Sequence, residues 1–458
     1  MNNSEKNMYS WVLNVKNLGR IISAEIGVSP MTLFIGDNNS GKSYLMTLIY
    51  TLLNIRWNTE GFDLCKETDE FRKCAEWIWT VFDNLSDEMT EIAITNDIQD
   101  SFQALLNRII EKNLPKISRR GFNADIEIGS VSVELQKLDE RYILIQRQKR
   151  TETEGQTFFV SFRVGKEDKY TYTRIIIDRV IVEPLISFVL EFLLKTDYKR
   201  SLIRDACYLP ASRTGFLLNY RALVKASLAD SYDGDAMPAG RLTRPYSDFL
   251  KNLSSISTDH LSIRYASVIQ YIEDQMTYGT VKASSETPQA TILYHPKETD
   301  INLPMYLSSG VITEMAPLVL MLQYQPFEIL FMEEPEISLH PQLQQKIAQV
   351  LIRLSNEGLP LFITTHSDVV LQQINNMIKL KNASKSFQSK LMKQYGYEVK
   401  DLLDEMKVSV YQFDVDKESG KTRVKKLTCG PYGFEVPTFN TALEELMKQT
   451  YDLEEDEE

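Results

Sequence analysis

The decapeptide FIGDNNSGKS at residues 34–43 decides the fold. An apolar run enters it, a Gly- and Asn-rich turn follows, and YLMTLIY continues as an apolar helix candidate. Residues 36–43 match G-x-x-x-x-G-K-[ST] in full, a pattern expected by accident on the order of 0.02 times in such a chain. Gly36 and Gly41 let the backbone turn without a Cβ clash. Amides across Gly36, Asn38, Asn39, Ser40 and Gly41 can then point at phosphate oxygens. A helix opening near Gly41 adds its positive end. Lys42 is placed to reach the β- and γ-phosphates of a nucleotide, and the Ser43 hydroxyl to ligate Mg²⁺.

A phosphate loop needs a second strand carrying acid, and FEILFMEEPEISLHP supplies one. Ile329 to Met332 read as a buried strand with Glu333 and Glu334 at its C-terminal end, where ligands gather in open α/β sheets. Side chains alternate along a strand, so the two carboxylates take different tasks. Glu333 is expected to orient the water shell of Mg²⁺, and Glu334 to activate the attacking water. LFITTHS repeats the design, ending an apolar strand on Thr365-His366-Ser367. A neutral His366 imidazole there can hydrogen-bond a γ-phosphate oxygen. Ser308-Ser309-Gly310, opening the helix before the Glu-Glu strand, offers hydroxyls and free amides to an anion. Pro317 inside that helix predicts a kink.

The rest of the chain sets bounds. Its 458 residues allow two or three domains, or one large domain with insertions. A net charge of −12 argues against a generic nucleic-acid coat, while leaving room for a local basic groove. The basic runs KISRR (116–120) and RQKR (147–150) read as solvated loops. Four cysteines without a CxxC pair suit buried thiols in a reducing cytoplasm, and four scattered histidines argue against a zinc site. No long uncharged apolar run stands ready to cross a bilayer, so a cytoplasmic protein without membrane contact is expected.

Along the chain, a hairpin and the loop strand come first, then helical repeats from about 60 to 115 and a strand-rich stretch at 123–182. After a second helical region at 216–285, broken at DSYDGDAMPAG, strands and helices alternate, and a hairpin, a helix and the acidic tail DLEEDEE close the sequence. The expected class is α/β, a P-loop NTPase head with large α-helical and β insertions. The head would comprise 1–60, 205–215 and 291–458, with insertions at 61–204 and 216–290.

These motifs in this order resemble the ABC-type AAA ATPase head of SMC-like and OLD-family proteins. GDNNSGKS is similar to the Walker A loop, ILFMEE to Walker B, YLSSG to a degenerate LSGGQ signature and ITTHS to the H-loop. EEPExxLHP, with Glu at 333 where many ABC proteins carry Asp, is closest to the OLD-like branch, as is YLPASRTG around Arg213. The resemblance covers roughly residues 8–55, 205–215 and 290–380. It implies ATP and Mg²⁺ as cofactors and two heads sandwiching two ATP molecules. Ser308, Ser309 and Gly310 of one protomer would contact the γ-phosphate held by Lys42 of the other, giving an ATP-dependent dimer or larger oligomer. Gln103 is one candidate for the Q-loop glutamine. OLD nucleases continue into a Toprim domain, which this sequence lacks in any convincing form; Asp414-Val415-Asp416 reads as a solvated strand end. The chain thus resembles stand-alone ATPases of the PARIS and Septu anti-phage systems, which pair with a separate Toprim or HNH effector. The alternative is an SMC-like DNA-repair or chromosome-maintenance ATPase acting directly on DNA, which would need a long coiled coil; no segment sustains three heptads. A transporter subunit fits least, given the large insertions.

Overall fold

The computed structural model describes residues 11–54, 62–85, 89–137, 141–149, 156–164, 171–177, 182–194, 206–230, 242–258, 261–284, 291–436 and 447–451. Residues 231–240 of the DSYDGDAMPAG break and the acidic tail at 452–458 lie outside them.

The first part of the chain forms β1 (Trp11–Leu18), β2 (Ile21–Gly27), β3 (Met31–Gly36) and α1 (Lys42–Leu53). There follow α2 (Asp69–Asp83), β4 (Thr90–Ala93), α3 (Asn96–Phe122), β5 (Ile128–Leu135), β6 (Arg141–Lys149), β7 (Gln156–Val164), β8 (Thr171–Ile177) and α4 (Val182–Leu193). The middle carries β9 (Ala206–Leu209), α5 (Arg213–Asp230), α6 (Arg244–Ser254), α7 (Ala266–Ile272), β10 (Gly279–Ser284), β11 (Thr291–Pro296) and β12 (Leu303–Pro304). The last part holds α8 (Gly310–Tyr324), β13 (Ile329–Glu333), α9 (Pro341–Asn356), β14 (Leu361–Thr365), α10 (Asp368–Asn382), α11 (Lys385–Tyr395), β15 (Val408–Val415) and β16 (Thr422–Leu427).

One nine-stranded sheet runs in the order β5-β1-β2-β16-β15-β3-β14-β13-β9. From β15 to β9 every neighbouring pair is parallel. Such strands are covered on both faces and should be apolar throughout. MTLFIG and LFITT are indeed buried at every position. Their side chains divide by alternation. Phe34, Tyr208, Phe331, Phe362 and Tyr411 face α1, while Leu33, Ile35, Leu330, Met332, Leu361 and Ile363 join the opposite layer with α8, α9 and α10.

The aromatic row on the first face fixes the register. Phe331 stacks on Phe362 with centroids 4.6 Å apart, and Tyr208 stacks on Phe331 at 5.9 Å. Tyr50 of α1 meets Tyr208 and Phe331 edge-on, at 5.3 and 5.4 Å, a geometry that aligns ring edges with π faces. The pairing sets Glu333 opposite Thr364 and Thr365 opposite Ile35. The C-terminal ends of β3, β13 and β14 therefore come level, and the loops leaving them share one rim of the sheet.

The structure revises or refines several of these expectations. The basic run KISRR lies in the last turns of α3, which continues through Pro115 to Phe122. Tertiary packing outweighs the lost amide bond: Ile117 is buried, Phe122 meets Tyr44 at 5.4 Å, and Arg119 pairs with Asp125 at 2.6 Å. Strand β5, expected within an insertion, extends the main sheet through β1. Phe249, Leu253, Val268 and Ile272, from the region expected to be a helical insertion, share the apolar cluster of Leu330 and Ile363. The C-terminal hairpin, expected as part of the head, lies interior to the sheet, with β15 beside β3. A separate sheet, β4-β6-β7-β8, packs Phe162 on Phe192 of α4 at 4.7 Å.

Candidate functional site

The phosphate loop connects β3 to α1 with Gly36 at φ 144°, Asn39 at 63° and Gly41 at 99°. Gly36 cannot be replaced without movement, because a Cβ there would sit 2.4 Å from the Phe413 carbonyl oxygen of β15. Asp37, Asn38 and Asn39 face solvent, whereas Ser40 is buried. Arg20 Nη1 reaches the Asn39 carbonyl at 3.5 Å. Helix α1 has no side-chain cap and no acid in its first turn, so its first amides and positive end stay available to an anion.

The Lys42 ammonium donates to the carbonyls of Gly36 (2.8 Å) and Asp37 (2.7 Å) and to Ser40 Oγ (3.3 Å). Burial pulls it down to about 8 from the usual 10.5, against the opposing pull of Glu334 and other nearby carboxylates. A bound phosphate favours the charged amine, so nucleotide binding should take up a proton once the pH exceeds about 8. The expected result is a dissociation constant for ATP that is flat below that pH and rises about tenfold per pH unit above it. Titration calorimetry across the range, in buffers of different ionisation enthalpy, reads both the slope and the proton; a flat profile would contradict the lysine's role.

The carboxylates divide as alternation requires. Glu333 is buried on the α1 face, and its Oε2 accepts from Tyr246 Oη (2.9 Å) and the Ala211 amide (3.2 Å). Burial first, then the Glu333 charge, pushes the Tyr246 phenol far above its usual range, so it stays a donor. Among the described residues Glu333 Oε1 is buried and meets no donor at full hydrogen-bond geometry; the Tyr208 phenol lies beside the carboxylate, and burial together with the Glu333 charge pushes it well above its usual range. Buried polar atoms are normally paired. A carboxylate oxygen so placed at this rim fits an oxygen-seeking Mg²⁺ or its water shell, with the exposed Ser43 hydroxyl at the start of α1 as the other candidate ligand.

Glu334 leaves the strand in a left-handed conformation, φ 41°, with its amide donating to the Thr364 carbonyl at 2.9 Å. Its Oε1 lies 3.5 Å from His366 Nε2, and both side chains are partly exposed. The hydrogen bond from His366 holds the Glu334 carboxyl below its ordinary range despite partial burial. It is therefore ionised and able to accept a proton at neutral pH. Glu336 supports the histidine loop: Oε1 accepts from the His366 amide (2.7 Å) and Thr365 Oγ1 (2.9 Å).

The hydrogen bonds of Ser308, Ser309 and Gly310 are local, and Gly310 borders the turn that follows Glu334, with its would-be Cβ 4.0 Å from Ser338 Cβ. Ser308 N donates to the Met305 carbonyl, and Ser309 starts α8 with no side-chain cap. Ser309 and Gly310 are exposed beside Tyr306 and Leu307, which are 74% and 61% exposed. Helix α8 is unbroken across Pro317. Gln103 accepts from the Leu135 amide at 2.7 Å, on β5, the edge strand remote from β3. The structure does not bring it to the phosphate loop. Asp416 closes the β15–β16 turn, accepting from the amides of Glu418 and Ser419.

One residue of the site has no signal in the motifs, and another has only a partial one. Tyr246 lies on α6, far along the chain from Glu333, and only folding joins them. Arg213 is fully buried and donates to the carbonyls of Glu333, Glu334 and Pro335, where the sequence suggested only a resemblance.

Comparison with known proteins agrees at the level of class. The family model described as "AAA ATPase domain" matches residues 8–175. A second, described as "AAA domain, putative AbiEii toxin, Type IV TA system", matches residues 235–372. The first contains the phosphate loop, and the second contains Ser308–Gly310, the Glu-Glu strand and His366. Both stretches are thus similar to AAA-type ATPase domains. No curated protein matches the chain. Among solved structures, an Smc head bound to the C-terminal winged-helix domain of ScpA aligns at 11% identity and a TM-score of 0.39, covering 91% of this chain and 97% of that one. The Pyrococcus furiosus Smc head with an extended coiled coil gives 11% and 0.37, with 97% and 98% covered. The Thermotoga maritima SMC head gives 10% and 0.32, with 91% and 98% covered. At such scores the likeness establishes no shared function. Among the described residues, no helix is long and apolar enough to cross a membrane.

Proposed function

We propose that this chain is an ATP-hydrolysing switch whose sites close between protomers and whose nucleotide state governs a separate effector protein in anti-phage defence. The observation that carries it is the split of the site. The phosphate loop, Glu333, Glu334 and His366 share one rim, while the uncapped α8 start at Ser309-Gly310 faces solvent with exposed Tyr306 and Leu307 beside it. A second head supplies what that surface lacks.

In this reading the loop amides and Lys42 bind the phosphates, and Ser43 and Glu333 hold Mg²⁺. When bound, the cation neutralises charge on the β- and γ-phosphates. Glu334 takes a proton from the attacking water, and His366 keeps that carboxylate oriented and ionised. Ser308, Ser309 and Gly310 offer the partner's γ-phosphate a helix start, so ATP binds best to the closed pair. The defence assignment draws on the second matched description, which names a putative toxin of a type IV toxin–antitoxin system, and the preference over direct action on DNA draws on the absence of any sustained heptad pattern in the sequence. A Toprim or HNH nuclease is the effector class proposed, held in a cytoplasmic assembly.

Native mass spectrometry of Glu334→Gln, co-expressed with its genomic neighbours, tests this in Mg-ATP and in ADP. The expected result is a second polypeptide travelling with an oligomer that ATP changes. A lone chain indifferent to nucleotide would overturn the reading, and retention of DNA instead would favour direct action on chromosomes.

A further inference from the structure

The turn that aims Glu334 is strained and needs a brace. Glu334 and Ser338 both occupy the left-handed region, at φ 41° and 59°, which disfavours side chains with a Cβ. One buried side chain grips this turn. Arg213 Nη1 donates to the Glu333 carbonyl at 2.9 Å and the Glu334 carbonyl at 3.4 Å; Nη2 donates to the carbonyls of Glu334 (3.3 Å) and Pro335 (3.5 Å). Three successive carbonyls converge on one planar fork, a geometry a lysine cannot reproduce.

The other side of Arg213 faces α8. Its Nε lies 2.9 Å from Glu314 Oε2 and donates to the Glu314 carbonyl at 3.2 Å. Glu314 is buried, and its Oε1 accepts from Thr214 Oγ1 at 2.5 Å. Glu314 sits about one helical turn from Gly310, on the helix that starts at Ser309. Gly310 itself lies against the same turn, with its would-be Cβ 4.0 Å from Ser338 Cβ.

We infer that Arg213 is a positioning residue that holds Glu334 in its reactive orientation, and that its pairing with Glu314 makes α8 the lever through which contact at Ser309-Gly310 reaches Glu334. This rests on the proposed ATPase reading. It adds a fixed route from the exposed helix start to the base: Gly310, Glu314, Arg213, then the Glu333–Pro335 carbonyls. A head whose α8 has not met a partner's phosphate would then leave Glu334 less well aimed, so hydrolysis waits for closure.

Steady-state ATP turnover, ATP affinity and thermal melting of wild type, Arg213→Lys, Glu314→Gln and the double variant provide the test. Arg213→Lys should lower kcat on the order of 100-fold, as small misplacements of a catalytic group do, with the affinity for ATP unchanged because the phosphate loop is intact. Glu314→Gln keeps the size of the side chain and an acceptor for Thr214, so it carries the test should the lysine variant fail to fold. It should lose kcat in the same sense, and the double variant should be no slower than the worse single, as expected of one shared route. A wild-type kcat in both single variants, or a loss matched by the loss of folded protein, overturns the inference. Wild-type turnover that persists in both Lys42→Ala and Glu334→Gln overturns the ATPase reading instead, which separates the two failures.

Discussion

Glu334→Gln should lower kcat for ATP about 1000-fold, within the range of removing a general base, while leaving ATP bound. The amide keeps the shape of the side chain and an acceptor toward His366 Nε2, which lies 3.5 Å from Glu334 Oε1. It cannot take the proton from water. The loop, Lys42 and Glu333 are untouched, so the affinity for Mg-ATP should hold and the bound state should accumulate. Light scattering should then show a heavier species in Mg-ATP that ADP does not support, and single-turnover chemistry should show uncleaved nucleotide on it. Glu333→Gln makes the contrast. It removes the charge on the carboxylate that takes Tyr246 and the Ala211 amide and keeps one oxygen short of a full hydrogen bond, so its loss should appear as a raised requirement for Mg²⁺. A Glu334→Gln variant that turns over ATP at the wild-type rate would remove Glu334 as the base.

How much of the fold and site was legible depended on how local each feature is. The phosphate loop could be read because its glycines fix backbone geometry within eight residues. The strand ends could be read because a continuous apolar run followed by acid or histidine has few other uses in an α/β chain. The closeness of Glu334 and His366 follows from strand register, which the aromatic row sets and which no single stretch records. Tyr246 was out of reach for the same reason: TRPYSDF looks like a helix start, and it is one, with Pro245 in its first turn. That its phenol meets Glu333 depends on α6 packing beside β9. Arg213 gave a partial signal, an arginine just past an apolar strand, yet the three carbonyls it serves come from a turn more than a hundred residues away. The continuation of α3 through Pro115 shows the opposite case, where a local rule was readable and tertiary burial of Ile117 and Phe122 overrode it.

Mixing two dead variants should restore activity, and the amount is calculable. Lys42→Ala removes the amine that serves a protomer's own loop, and Ser309→Arg places bulk and charge at the exposed α8 start offered to a partner. Each alone should be inactive, since every closed pair then contains two damaged sites. A heterodimer of the two contains one site with both lesions and one with neither. Random pairing at equal concentrations makes about half of the dimers heterodimers, each with one intact site, so about a quarter of wild-type turnover should return in a two-fold symmetric assembly. Ser309 is exposed, whereas Lys42 is buried at the start of α1, so thermal melting should confirm that each variant folds. Activity that stays at zero after mixing would mean that Ser309 does not serve a neighbour's nucleotide, or that ATP hydrolysis requires both sites at once; titrating wild type into Lys42→Ala separates these. If one intact site suffices, turnover falls linearly with the wild-type fraction of subunits. If both are required, it falls with the square of that fraction, and the assembly is then a switch that fires only when two nucleotides are held.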